Sequence, residues 1–338
     1  MNKKHFLLIA AFIFIPALPF AQGVSAEPVI DSEISEMYLS VEAAKSKKEK
    51  RNLTLLLAEK LTSAGQYEEA ENLYKGLLAG KPSKKQSFEY YLKLGDTAFL
   101  SKNYTLSLDY YEKARSLYKK NAEVNLKIGD VLLKCNLYNL AEKSFTEALS
   151  HDEDSYYAKK RLGDIYFEME MYSKAVEYYG QIENAVNDKQ LTVNMAVCYR
   201  NLSETDKALD IAKAYLQMTP DAEMFILSGM LNCDKKRYDS AEKDFLKSIE
   251  INGQNFMPYI YLAGIYFSAD KYELAKRYID KAYALNSSYA ATDLLNAEIS
   301  YKLGRIYEAR RYAHNAFIKA KSPFIKERVK KSSGFFNQ

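Results

Sequence analysis

The chain has 338 residues, 48% of them hydrophobic and 27% charged, which excludes a disordered polymer as its bulk state. Its 48 Lys and Arg against 44 Asp and Glu leave a net charge of +4, too even a balance for the whole molecule to be drawn to nucleic acid or anionic lipid. With 13 Gly and 7 Pro against 29 Tyr, chain breakers are scarce and a largely helical protein is expected.

Lys3, Lys4 and His5 form a basic start, and Phe6 to Ile15 an apolar stretch that Pro16 and Pro19 interrupt. Val24, Ser25 and Ala26 then place small residues at a cleavage point. The pattern predicts a signal peptide over 1–26, cleaved after Ala26 (or after Ala21), and therefore an exported protein, periplasmic or secreted. An uncleaved anchor is the alternative, although the apolar stretch is shorter than the roughly 20 residues that span a bilayer. No cysteine follows it to carry a lipid anchor. Without Lys3 and Lys4, 46 basic residues face 44 acidic ones. Cys135, Cys198 and Cys233 are an odd number, and isolated buried thiols are expected rather than a disulfide framework.

Residues 27–50 read as an N-terminal cap. Ser32 to Ala44 carries Ile34, Met37, Tyr38 and Val41 at helical spacing, and the basic run Lys45 to Arg51 is expected to be a solvated turn. Beyond it a small residue recurs at Ala70, Ser107, Ala141, Ala175, Ala208, Ala241, Ala275 and Ala309, at intervals of 37, 34, 34, 33, 33, 34 and 34. Tyr67, Tyr104, Tyr138, Tyr172, Tyr238 and Tyr272 stand three residues before six of these anchors. Such a period means stacked supersecondary units that bury their cores against one another.

Within one period, Leu162-Gly163-Asp164-Ile165-Tyr166-Phe167 and Tyr172 to Tyr179 each have helical apolar spacing around a short turn, so the unit is an antiparallel helix pair. Ala58, Gly95, Gly129, Gly163, Ala196, Gly229, Ala263 and Ala297 mark the close crossing on the first helix. Tyr74, Tyr111, Phe145, Tyr179 and Phe245 follow the anchor by four residues, and Pro82 and Pro220 close their repeats. The long first interval predicts a loop insertion around Ala79 to Lys85.

These residues resemble the tetratricopeptide repeat (TPR) family over Arg51 to about Pro323. The resemblance implies an all-α solenoid, a right-handed superhelix of about eight units over 51–323, starting near 51, 88, 122, 156, 189, 222, 256 and 290. The family's first aromatic position holds Thr54, Tyr91, Asn125, Lys159, Thr192, Phe225, Tyr259 and Asp293, with no Trp. Asp293 and Asn296 make the eighth unit polar, as expected of a terminal cap. Residues 324–338 read as a capping helix with Phe324, Ile325 and Val329, then a basic tail. Lys321, Lys326, Arg328, Lys330 and Lys331 against Glu327 read as a solvated helix end, with membrane or nucleic-acid contact as the sharper alternative.

Catalysis has little to work with. His151 and His314 stand outside any HExxH pattern, and neither a CxxC pair nor a G-x-S-x-G elbow occurs. Gly76 to Ser83 only faintly echoes a phosphate loop, with Pro82 where a backbone N–H would be wanted. The expectation is no enzyme, no metal and no cofactor.

The resemblance also implies a concave groove lined by first helices. Its two mainly apolar rows carry Leu55, Leu92, Leu126, Lys160, Val193, Ile226, Ile260 and Leu294, then Thr62, Phe99, Leu133, Phe167, Arg200, Cys233, Phe267 and Tyr301. Between them runs an acidic row with Glu59, Asp96, Asp130, Asp164 and Glu298. The expected site is therefore Leu92, Asp96, Phe99, Leu126, Asp130, Leu133, Asp164, Phe167, Ile226, Ile260, Phe267, Leu294 and Tyr301. It would take a protein or peptide with apolar anchors and some basic residues, and no nucleic acid. Packing of those apolar residues on neighbouring helices is the alternative. The Lys and Asn clamp that some members use for peptide C-termini is missing, because repeats two to four present Asp. Function is then a cell-envelope interaction scaffold, an assembly factor for a secretion, pilus, polysaccharide-export or outer-membrane complex. A chaperone-like holder of exported chains is the alternative.

Overall fold

Small residues at the crossing points let two helices approach until a ring of one lies on the backbone of the other. This repeats along a computed structural model that describes residues 27–323 and 326–329, all of whose regular elements are helical. The signal peptide expected at 1–26 and the tail residues Phe324, Ile325 and 330–338 lie outside the described residues. Two compact units are present. In the one that ends at Glu183, α1 (Glu27–Glu42) precedes the pairs α2 (Lys47–Ser63) and α3 (Tyr67–Ala79), α4 (Lys84–Leu100) and α5 (Tyr104–Leu117), α6 (Ala122–Lys134) and α7 (Tyr138–Leu149), and α8 (Tyr156–Glu168) and α9 (Tyr172–Gly180). The unit that begins at Asn184 holds α10 (Lys189–Asn201) and α11 (Thr205–Met218), then α12 (Ala222–Asp234) and α13 (Tyr238–Ile251). It continues with α14 (Met257–Ser268) and α15 (Tyr272–Leu285), and ends with α16 (Ala290–Lys302) and α17 (Ile306–Lys319).

Glycine occupies four of the five crossings that meet a ring; in the first repeat Ala58 stands opposite buried Tyr74. A Cβ on Gly95, Gly129, Gly163 or Gly229 would stand 2.3, 2.6, 2.2 or 2.6 Å from a ring carbon of Tyr111, Phe145, Tyr179 or Phe245 respectively. At Ala196, Ala263 and Ala297 the corresponding side chains, Ala212, Ile279 and Ala313, are smaller and equally buried. Apart from Ala58 and Tyr74, glycine at the crossing goes with a ring opposite and alanine with a smaller side chain.

Each first helix ends on a left-handed residue. Gly65 and Gly304 serve at two of these sites, whereas Lys102, Asn136, Glu170, Ser203, Lys236 and Asp270 adopt φ between 57° and 63° without glycine's freedom. The hydrogen bonds that close these ends, such as Asn103 N–H to Ala98 O at 2.8 Å and Met171 N–H to Tyr166 O at 2.8 Å, hold the strained conformation in place.

Four sequence expectations are corrected. Lys47 to Arg51 are helical rather than a turn, because Ser46 accepts from the Glu49 N–H at 3.1 Å while Glu49 accepts from the Lys45 N–H at 2.9 Å. The extra residues of the first interval lengthen α4 to 17 residues and leave the connecting loop short. Ser83 and Gln86 form a reciprocal capping box that starts the helix early. Asp293 and Asn296 are fully buried, since Lys319 reaches Asp293 at 2.7 Å and Arg328 pairs with Glu298 at 2.8 Å over the last helix pair. Cys198 and Cys233 are buried, but Cys135, at the end of α6, is half-exposed.

Candidate functional site

In the unit ending at Glu183, charge links the first helices of successive repeats. Lys93 of α4 reaches Glu59 of α2 at 2.7 Å, Lys127 of α6 reaches Asp96 of α4 at 2.7 Å, and Arg161 of α8 stands 3.1 Å from Asp130 of α6. Lys93, Lys127 and Arg161 each lie three residues before the next acid of their own helix, Asp96, Asp130 and Asp164. One short pattern, repeated at the solenoid period, thus places each base beside the acid of the preceding repeat.

Phenols complete the ladder. Tyr111 donates to Asp96 at 2.6 Å and Tyr179 to Asp164 at 2.8 Å, both from the second helix of the same repeat. The third repeat has Phe145 there, and Tyr157 donates to Asp130 at 2.6 Å instead while accepting from Arg161 at 2.7 Å. Burial pushes the Tyr157 phenol up to about 12 and the Tyr111 phenol higher still, so both stay protonated donors near neutrality. Burial also raises the Asp130 carboxyl above the usual carboxylate range, although Tyr157 and Arg161 pull the other way. Half-exposed pairs of this kind are worth at most about 1 kcal/mol each, so they set register more than stability.

The acidic edge expected from Asp96, Asp130 and Asp164 is therefore an acid–base ladder. The signal was present in the Lys or Arg three residues before each acid, but only the offset between neighbouring helices shows which acid it meets.

Two of the expected site residues meet in a cleft. Leu92 and Asp96 line an opening of about 700 Å³ between α4 and the start of α6. Phe88 and Tyr118, in edge-to-face contact at 5.0 Å, supply its apolar wall with Leu92. Lys85, Lys93 and Lys127 alternate with Glu89 and Glu123 around it. Phe88, Tyr118 and Lys85 were absent from the expected set because they lie in the helix extension and in the inter-repeat loop. Phe99, Leu126, Leu133 and Phe167 are half-buried in the same unit, with Phe99 against Tyr104 at 5.8 Å and Phe167 against Tyr172 at 6.1 Å.

In the unit from Asn184 more of the expected residues are buried, as Leu92 already is in the other unit. Ile226, Ile260 and Phe267 join one buried cluster, Leu294 is buried in another, and Tyr301 is half-buried beside it. These four apolar residues are packing residues rather than an open surface. For Ile260 and Phe267 the helix explains it: Met257–Ser268 carries no charged residue, and Pro258 to Phe267 are all buried.

The tetratricopeptide repeat family pattern matches residues 55–122, and a second pattern of the same description matches 161–184 and 222–255. The matched segments of the chain are tetratricopeptide repeats. The crystal structure of yeast Tom70 is similar to this TPR protein with a TM-score of 0.50 at 15% identity, over 98% of this chain and 69% of that one, a likeness of fold. YrrB, described as a TPR protein with an unusual peptide-binding site, is similar at 19% identity with a TM-score of 0.47, over 54% of this chain and 95% of its own. Pseudomonas aeruginosa PilF is similar at 15% identity with a TM-score of 0.41, over 74% of this chain and 100% of its own. No curated protein matches the chain. TPR proteins act as protein–protein interaction scaffolds and bind peptide or protein partners. Among the described residues no helix is long and apolar enough to cross a membrane.

Proposed function

We propose that this TPR protein is a non-catalytic scaffold that holds an extended segment of a partner protein along the first helices of the unit ending at Glu183. The observation that carries this reading is the cleft between α4 and α6, with Phe88, Leu92 and Tyr118 as its apolar wall and alternating charges at its rim. An apolar anchor would enter beside Leu92 and Tyr118, while polar backbone or side chains would meet Lys85, Glu89 and Glu123. The residue pattern of 1–26 supports export and cleavage after Ala26, with the periplasm as compartment. An assembly role in a secretion, pilus, polysaccharide-export or outer-membrane complex is the corresponding setting.

Capture from the native host followed by mass spectrometry tests the reading when wild type is compared with the double variant Lys85→Glu, Tyr118→Ser. The expected result is loss of the recovered partner with unchanged helical circular dichroism. Equal recovery by the variant moves the binding surface away from this cleft. For export, N-terminal sequencing should find Glu27 first, and an intact Met1 on cytoplasmic protein refutes it.

A further inference from the structure

The second helices of the unit from Asn184 expose mixed charge, with one exception. Alpha-helix α11 exposes Asp206 and Asp210 beside Lys207 and Lys213, α13 exposes Asp239 and Glu250 beside Lys243 and Lys247, and α15 exposes Glu273 and Asp280 beside Arg277 and Lys281. The exposed side chains of α17 are Ile306, Tyr307, Arg310, Arg311, His314, Phe317 and Ile318, with no acid among them. Shifted by one period of 34 residues, Tyr307, His314 and Ile318 replace Glu273, Asp280 and Ala284.

The fold gains little from this face. Tyr307 is 82% exposed and Ile318 66%, so their apolar surface contributes almost nothing to burial. α17 is held instead by its opposite side, where Ala309, Tyr312, Ala313 and Ala316 pack with Val329. Basic charge continues past the helix with exposed Lys321 and Lys326, the latter 5.8 Å from the Phe317 ring centroid. The nearby acids are already engaged: Glu273 with Arg305, Asp280 and Glu308 with Lys276, and Glu298 with Arg328. Glu327, exposed beside Lys326, is engaged as well.

We propose that this face docks peripherally on an anionic lipid surface. Arg310, Arg311, Lys321 and Lys326 would meet lipid phosphates, and Tyr307, Phe317 and Ile318 would enter the headgroup region. Basic residues interleaved with protruding aromatic and aliphatic ones are the chemistry of an interfacial surface. A nucleic-acid backbone would use the cations but offers nothing to Ile306 and Ile318, which decides between the two polyanions. The surface is distinct from the cleft at α4 and α6 and does not rest on that reading.

Vesicle co-sedimentation tests it, with the same N-terminus in every variant. The protein should pellet with vesicles of phosphatidylcholine containing phosphatidylglycerol and not with phosphatidylcholine alone. Arg310→Glu with Arg311→Glu should weaken the partition about tenfold or more, and salt should do likewise. Tyr307→Ser with Ile318→Ser should weaken it several-fold while thermal unfolding stays unchanged, because both side chains already lie in water. The Lys85→Glu, Tyr118→Ser variant should pellet like wild type. No pelleting, pelleting equal on neutral vesicles, or full binding by the Arg310→Glu, Arg311→Glu variant overturns the proposal. So does a face whose variants lose oligonucleotide binding or self-association while vesicle binding is absent from the start.

Discussion

The same substitution at two helical glycines should have opposite signs. Gly163 lies at the crossing of α8 and α9, where a new Cβ would stand 2.2 Å from Cε1 and 2.4 Å from Cδ1 of Tyr179. Ordinary contact needs more than 3.4 Å. The ring would have to retreat by over an ångström, yet Tyr179 is fully buried and its hydroxyl is tied to Asp164 at 2.8 Å. Overpacking costs about 2 kcal/mol and weakening the hydroxyl's bond to a carboxylate about 1 kcal/mol. Alanine's better helix propensity returns about 1 kcal/mol. Gly163→Ala should therefore destabilise by about 2 kcal/mol. Gly76, in α3, has nothing within 4 Å of its virtual Cβ, so Gly76→Ala should stabilise by about 0.5–1 kcal/mol. Urea unfolding followed by circular dichroism measures both, and Gly163→Ala combined with Tyr179→Leu should recover most of the loss. A stabilising Gly163→Ala, or no recovery in the double variant, would refute the argument that ring and backbone share that volume.

Other outcomes follow from the same packing. Glu170 caps α8 at φ 57° without glycine's freedom, so Glu170→Gly should raise stability by about 0.5–1 kcal/mol in the same urea assay. Asn125 is fully buried and neither its amide nitrogen nor its oxygen has a hydrogen-bond partner. Asn125→Leu, of similar size, should gain about 1–2 kcal/mol, read as a rise in melting temperature. Burial pushes the Cys198 thiol up to about 12 and the Cys233 thiol further, whereas Cys135 is half-exposed. A thiol reagent near neutral pH should modify Cys135 in the native protein, and Cys198 and Cys233 only after unfolding.

How much was legible in the residues depended on whether the cause was local. The anchors from Ala70 to Ala309, the crossing glycines and the tyrosine that opens six of the eight second helices recur because each helix pair must solve the same packing problem. The left-handed ends at Lys102, Glu170 and Ser203 escaped notice because the hydrogen bonds that hold them are a property of the closed turn and not of the residue type. Lys47 to Arg51 looked like a solvated run until Ser46 and Glu49 capped them into a helix.

The residues expected to line a groove divided along the same line. A period and a polarity pattern alone assign Asp96, Asp130 and Asp164 to one row of first helices, since helical spacing sets which residues share a face. The offset between neighbouring helices decided that Lys127 and Arg161 neutralise the first two of these acids. Tertiary structure also decided that buried Leu92 still borders a cleft while Ile260 and Phe267 lie within a core cluster, because exposure depends on what packs opposite. The sequence by itself determined a stack of helix pairs. Which of its apolar and charged faces remain open was settled only when the pairs were assembled.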